Sequence, residues 1–133
     1  MAIQFSAAVR NAQLNQLEAS VGATPKLRFY SGAAPANCAA AASGTMIAEF
    51  VLPADWEGDA TAGVKAMAGG PWTTTAAVPG TVGYFRLYDS AGTTCHVQGS
   101  AGAAGSDCPI NNPTVVAGQE LKITAFSLTA GNA

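Results

Sequence analysis

Cys95 and His96 lie side by side in the stretch GYFRLYDSAGTTCHVQGS, residues 83–100, and His96 is the only histidine in the chain. A cysteine and a histidine together could bind a metal ion or act as a nucleophile and its base. Arg86 and Asp89 lie nearby in the sequence and would add an anion-binding group and a carboxylate. These residue types make the stretch the first place to look for catalytic chemistry.

The same stretch predicts a β-hairpin. Asp89-Ser90-Ala91-Gly92 fits a type I turn in which Gly92 adopts the left-handed conformation. A turn of this kind pairs Asp89 with Thr93, which sets the register of both strands. The register places Leu87 opposite Cys95 and Phe85 opposite Val97 on one face, and Tyr88–Thr94, Arg86–His96 and Tyr84–Gln98 on the other. We expect the first face in the core and the second against water, another sheet or another subunit.

The hairpin argues against a joint site for Cys95 and His96, because adjacent strand residues point to opposite faces. Asp89 lies at the turn, too far along the ladder to orient His96 as a catalytic base. We therefore expect Cys95 in the core and His96 on the sheet surface beside Arg86.

The acidic residues also lack a catalytic arrangement. Asp55, Glu57 and Asp59 in PADWEGDA have a spacing that resembles a calcium loop, but no later glutamate closes it. A solvated loop around Trp56 is the favoured interpretation. We expect no catalytic residue, no metal and no cofactor, and the protein is predicted not to be an enzyme.

Aromatic residues offer a third possibility, a sugar-binding platform. The candidates are Tyr30, Trp56, Trp72, Tyr84 and Tyr88. No cluster of Asn and Asp accompanies them, so core and interface positions are favoured.

The N-terminal residues 1–22 are predicted to form an arm and a helix from Ser6 to Gly22. Ser6 can cap its start and Gly22 can end it. Leu14, Leu17 and Val21 form a narrow apolar stripe, as expected of a helix that lies on a sheet rim or docks onto a partner.

Residues 23–133 are predicted to form a mainly β domain, an antiparallel, jelly-roll-like β-sandwich of about eight strands. The strands are expected at Lys26–Ser31, Met46–Leu52, Gly63–Met67, Trp72–Ala76, Val82–Asp89, Thr93–Gly99, Thr114–Val116 and Glu120–Leu128. The connector Gly32–Gly44 is predicted either to turn across a sheet edge or to extend as an arm toward a neighbour.

Composition narrows the range of partners. Of the 133 residues only 11% are charged, and the six Lys and Arg residues are scattered, so nucleic-acid binding is not expected. No long apolar run or signal peptide is visible, so we expect no membrane contact and assembly in a cytoplasm. Low surface charge favours a homodimer or homotrimer.

Cys38, Cys95 and Cys108 are predicted to be free thiols, with one disulfide after release from the cell left open.

Several segments together resemble a group of short tailed-bacteriophage and prophage virion-associated proteins. They are FSAAVRNAQLNQLEASVG, GAAPANC, LPADW, FRLYDSAGTTCHVQG and FSLTAGNA. The resemblance spans nearly the whole chain and implies a small structural component of the virion, of the capsid decoration or cement class. It transfers no catalytic residue.

The predicted function is therefore that of a cement protein that binds the major capsid protein on the outer capsid surface. A tail, collar or fibre-associated protein and a host-glycan-binding module are the alternatives. The candidate interface residues are Leu14, Leu17, Val21, Pro35, Trp56, Tyr84, Arg86, Tyr88 and His96. The N-terminal segment and the connector Gly32–Gly44 are the expected interaction arms.

Overall fold

A computed structural model describes residues 3–103 and 105–131 of the protein. It is mainly β with one N-terminal helix, which confirms the predicted class. Helix α1 is Ala7–Val21, and the strands are β1 Lys26–Ser31, β2 Met46–Val51, β3 Val64–Ala66, β4 Trp72–Thr75, β5 Gly80–Tyr88, β6 Cys95–Gly102, β7 Cys108–Pro109, β8 Thr114–Val115, β9 Glu120–Ile123 and β10 Ser127–Thr129. Among the described residues, no helix has the length and apolar character needed to cross a membrane.

Local capping sets the ends of α1, as predicted. The Ser6 side chain accepts a hydrogen bond from the Val9 N–H at 3.2 Å. At the other end Gly22 has φ +88°, and its N–H donates to the Glu18 carbonyl at 2.9 Å. Leu14 and Val21 are buried, so the helix packs on the β-structure through the predicted stripe.

The main sheet has the strand order β2-β1-β5-β6-β7, with β8 paired to part of β5. Its pairings are antiparallel except for the parallel pair β6–β7. Two antiparallel ribbons, β3–β10 and β4–β9, complete the β-structure. The outer side of β2 is covered, because its Glu49 and Ile47 carbonyls accept hydrogen bonds from Thr74 Oγ1 and the Ala77 N–H, each at 2.8 Å. A covered edge gives strands of other chains little to pair with.

Alternation along the central strands divides the main sheet into two faces. Leu27 and Phe29 of β1 and Phe85 and Leu87 of β5 point into the main core. That core also contains Val21 of α1, Trp72, Leu121 and Ile123 of the β4–β9 ribbon, and Trp56 from the segment between β2 and β3. Leu128 of β10 packs against it. The opposite face of the sheet carries tyrosines, which form a separate buried cluster.

The expected single strand Glu120–Leu128 is broken, and this part of the prediction is wrong. β9 ends at Ile123 and pairs with β4, whereas β10 begins at Ser127 and pairs with β3. The break turns the Phe126 ring inward, where its centroid lies 5.8 Å from that of Trp72 and 5.5 Å from that of Phe85. The free energy gained by burying the Phe126 ring outweighs the strand hydrogen bonds that an unbroken strand would have made.

Candidate functional site

The hairpin turn has the predicted conformation, but the pairing beside it is shifted by one residue, because the Asp89 N–H donates to the Thr94 carbonyl at 3.2 Å. Gly92 has φ +73° and its N–H donates to the Asp89 carbonyl at 3.0 Å. The Asp89 carboxylate accepts a hydrogen bond from the Thr93 N–H at 2.9 Å, and this bond is the main reason that the Asp89 pKa lies below its usual value. Asp89 is therefore a turn-stabilising residue.

The predicted register of the hairpin is wrong by two residues along most of its length. Arg86 is paired with Gln98 and Leu87 with Val97, while Tyr88 is paired with Cys95. The irregularity between Leu87 and Tyr88 leaves His96 as an extra residue in β6. The turn accounts for one residue of this shift, and the bulge adds a second for the pairs farther from the turn.

The shifted pairing at the turn decides the face of Cys95, and the bulge decides where His96 lies. The expectation that Cys95 lies in the main core is wrong. Cys95 packs on the tyrosine side of the sheet. His96 is exposed, as predicted, although its cross-strand partner is not Arg86. The two residues therefore form no joint metal or catalytic site.

Tyr30, Tyr84, Tyr88 and Cys95 form a cluster that we call the tyrosine face. The Tyr30 and Tyr84 rings are stacked with centroids 5.1 Å apart, and the Tyr30 and Tyr88 hydroxyl oxygens are 3.4 Å apart. Burial, with a smaller effect from the Tyr88 hydrogen bond, raises the pKa of Tyr30 to about 12. Tyr30 is therefore a neutral packing and hydrogen-bonding group.

The connector, residues 32–44, folds back over the tyrosine face and does not extend as an arm. The Tyr84 hydroxyl accepts from the Ser43 N–H at 2.9 Å and donates to the Ser43 carbonyl at 2.6 Å. Gln98 Nε2 donates to the Pro35 carbonyl at 2.7 Å. These bonds satisfy backbone groups of an irregular segment, which explains how it can cover a buried face.

Arg86 lies at the centre of this arrangement with only 2% of its surface exposed. Its Nη2 donates to the Ala40 carbonyl at 2.8 Å and to the Asn37 carbonyl at 3.1 Å. Its Nε donates to Gln98 Oε1 at 3.1 Å, and Nη1 lies 3.4 Å from the Tyr88 hydroxyl. The guanidinium thus binds the connector to the sheet, and its donors are directed at the protein itself.

A second polar cluster lies beneath α1, and sequence reasoning missed it. Lys65 is 1% exposed, and its Nζ donates to the Gly58 carbonyl at 2.7 Å and to Asn15 Oδ1 and Glu18 Oε1, both at 2.9 Å. In β3 Lys65 lies between the apolar residues Val64 and Ala66, and this alternation indicates an outward-pointing lysine rather than an inward-pointing one. The three bonds satisfy all donors of the ammonium group.

Glu57 is also buried, with 1% of its surface exposed, and neither carboxyl oxygen has a hydrogen-bond partner among the described residues. Burial raises its pKa to about 8; the Lys65 charge acts in the opposite direction, and Glu18 adds to the rise. The Glu57 carboxyl is therefore mainly neutral at pH 7. The expectation of a solvated loop around Trp56 is wrong, because Trp56 is fully buried and its Nε1 donates to the Gly22 carbonyl at 3.1 Å.

Most of the predicted interface residues are internal packing residues, and for these the expectation of an exposed contact surface is corrected. The buried ones are Leu14, Val21, Trp56, Tyr84, Arg86 and Tyr88. Leu17 and Pro35 are half-buried, and only His96 is exposed. The aromatic sugar platform is corrected in the same way, since Trp72 and Tyr30 are buried as well.

Large apolar side chains are exposed instead at residues that the sequence did not single out, among them Met46, Val51 and Val116. Ile3 is 76% exposed, Val9 44% and Phe5 36%; we call these three the N-terminal apolar segment. Val64, 39% exposed, lies on β3, the strand that α1 packs against. In the sequence, this exposed surface could have been recognised from the position of Val9, which lies outside the apolar stripe by which the helix contacts the core.

Within residues 3–103 and 105–131, no three His, Cys, Asp or Glu side chains lie close enough together to hold a metal ion. Comparisons of the chain with family models, with curated proteins and with solved structures found no match.

Proposed function

We propose that the protein is a non-enzymatic structural component of a tailed-phage or prophage virion, a cement protein that binds the major capsid protein on the outside of the shell. The observation that carries the proposal is the N-terminal apolar segment. Ile3, Phe5 and Val9 are exposed beside a body whose buried polar side chains Arg86 and Lys65 are bonded within the chain. An exposed apolar segment on a domain whose buried Arg86 and Lys65 side chains are bonded internally suits a protein that binds to the surface of another protein.

Burial against a partner would stabilise an attached state. Each large apolar side chain that leaves water contributes about 1.5–3 kcal/mol, before the losses of freedom on binding. A homodimer or homotrimer presents the segment two or three times to a repeating lattice. Simultaneous engagement of several copies then makes modest single contacts collectively strong.

The finer fold proposal is a jelly-roll-like β-sandwich. It is supported by the composition of the main core, to which the six-stranded sheet contributes Phe29 and Leu87 and the β4–β9 ribbon contributes Trp72 and Leu121, while Leu128 of β10 packs against it. In this interpretation the ribbons β3–β10 and β4–β9 together make the second layer. A two-layer body of this kind is compatible with a protein that covers a lattice junction.

The burial of the aromatic residues favours adhesion to protein over adhesion to sugars. A glycan platform needs exposed rings, whereas Trp56, Trp72, Tyr84 and Tyr88 are all buried. A tail, collar or fibre position remains the alternative within the virion, and copy number separates it from the shell.

The test uses particles made by a phage from which the gene has been deleted, to which the purified protein is added back. The variant carries Ile3→Ser, Phe5→Ser and Val9→Ser together. The control carries Val51→Ser and Val116→Ser, which change apolar side chains of comparable exposure, 67% and 64%, elsewhere. Removal of residues 1–22 is a poorer test, because it would uncover Trp56 and Lys65.

We expect the wild type and the control to bind heads at a copy number comparable with that of the major capsid protein, and to protect them against heat. The N-terminal variant should lose at least tenfold in affinity while its circular dichroism and unfolding midpoint stay unchanged. Binding in only a few copies at the tail, or equal binding by both variants, would overturn the proposal.

A further inference from the structure

We propose that Cys38 and Cys95 are a disulfide-forming pair, oxidised when the protein leaves a reducing compartment, and that the bond fastens the connector to β6. The two Sγ atoms lie 2.8 Å apart although the residues are 57 positions apart in the chain. Unbonded carbon atoms keep about 3.5–4.0 Å, so the sulfur atoms are already in closer contact than ordinary packing requires. The proposal does not depend on the virion role.

Both partners are held in place by contacts on either side of the sulfur atoms. On the connector, the residues around Cys38 are fixed because the Asn37 and Ala40 carbonyls accept bonds from Arg86. The Asn37 side chain also accepts from the Ala39 and Ala40 N–H groups at 3.0 Å. On the sheet, pairing with Tyr88 fixes Cys95. The thiols therefore already meet in the folded chain.

The oxidant belongs to the class of small disulfides, such as oxidised glutathione. A thiolate of the pair attacks the glutathione disulfide, forms a mixed disulfide and releases one glutathione thiolate. The second thiol loses its proton, attacks the protein sulfur of the mixed disulfide and releases the second glutathione. In total, two protein thiols and one oxidised glutathione give one Cys38–Cys95 bond and two reduced glutathione molecules.

The surroundings of Cys95 indicate the order of these steps. Burial, together with the hydrogen bond to Cys38, raises the pKa of Cys95 to about 12, although the Arg86 charge acts in the opposite direction. Cys95 is therefore a poor first nucleophile. Cys38 makes the first attack, and Cys95 closes the bond from a distance at which the two sulfur atoms already touch.

Cys108 is not a competitor for either thiol. Its side chain is fully buried in the main core, and burial raises its pKa to about 12. It pairs with Ala101 in the parallel pair β6–β7, away from the tyrosine face. We expect it to remain a thiol and to serve as an internal control.

The test places the purified full chain in buffers of reduced and oxidised glutathione, followed by alkylation of free thiols, intact mass and peptide mapping without reductant. In the oxidised buffer we expect the loss of two hydrogen atoms in mass, a cross-linked peptide that joins Cys38 to Cys95, and alkylation of Cys108 only after unfolding. The unfolding midpoint should rise by roughly 10 °C relative to the reduced protein, because the bond closes a long loop.

Cys38→Ser and Cys95→Ser should each abolish the cross-link and the shift in midpoint, whereas Cys108→Ser should keep both. Cys38→Ser changes a half-buried residue of the connector and leaves the sheet intact, so it reports on the bond even where Cys95→Ser unfolds the chain. Free Cys38 and Cys95 in the oxidised buffer, or a bond that involves Cys108, would overturn the proposal.

Discussion

Lys65 Nζ lies 2.9 Å from Glu18 Oε1, and this ion pair joins α1 to β3 from a position where the lysine is 1% exposed. The glutamate side chain is 25% exposed, so one partner of the pair reaches solvent. The neighbouring Glu57 is buried without a hydrogen-bond partner among the described residues. One buried cation thus serves an ion pair and also opposes the effect of burial on the pKa of a nearby carboxyl group.

The first prediction concerns Lys65 itself. Lys65→Met should lower the free energy of unfolding by about 3–5 kcal/mol, because it leaves the Gly58 carbonyl, Asn15 and Glu18 without their shared donor. Chemical denaturation measures the loss. The matched control Lys122→Met removes an exposed lysine and should change stability by less than about 0.5 kcal/mol. Equal effects of the two substitutions would contradict the role of Lys65.

The second prediction concerns pH. The folded-state pKa of Glu57, about 8, lies above its ordinary value of 4.5, so between these values the folded chain holds a proton that the unfolded chain releases. The contribution of Glu57 to stability is therefore complete below about pH 4.5 and decreases as the pH rises toward 8. Glu57→Gln keeps a neutral side chain, so it should remove this decrease and be more stable than wild type at the alkaline end.

Urea unfolding of wild type and Glu57→Gln across this pH range measures the difference between their free energies of unfolding. Groups that titrate alike in the two proteins cancel in this difference. Glu120→Gln, an exposed site, is the control and should follow the wild-type profile. Parallel profiles for wild type and Glu57→Gln would contradict the assignment.

The third prediction concerns Arg86 and the connector. Arg86→Leu should destabilise the protein by about 3 kcal/mol or more, because the Asn37 and Ala40 carbonyls and the Gln98 side chain lose a buried charged donor. Amide hydrogen exchange should rise in residues 32–44 before it rises in the main sheet. Unchanged exchange in the connector would show that Arg86 does not hold it.

The fourth prediction concerns Gly83 in β5. A Cβ atom at this position would overlap the backbone carbonyl of Gly32, where the chain leaves β1. Gly83→Ala should therefore cost about 1–3 kcal/mol, the usual range for overpacking. Gly131→Ala is the control, since its Cβ would meet no atom within 4 Å. A Gly83→Ala protein as stable as this control would contradict the close approach of the Gly32 carbonyl to β5.

The hairpin shows how far local reasoning reaches. The turn at Asp89–Gly92 and the alternation of Phe85 and Leu87 with the tyrosines were predictable, because both follow from neighbouring residues and a period of two. The bulge at His96 was not, because no residue type marks it. The pairing at the turn, which is shifted by one residue from the predicted one, moved Cys95 from the expected core to the tyrosine face, where it meets Cys38.

By itself, the sequence determined the helix from its Ser6 and Gly22 caps, the mainly β class and the positions of most strands, since these depend on interactions between residues close in the chain. Only the tertiary structure decided that the connector covers the tyrosine face, that Lys65 and Glu57 are buried beneath α1, and that the N-terminal apolar segment stays exposed. These outcomes depend on contacts between residues far apart in the chain, and such contacts leave no periodic pattern in the sequence.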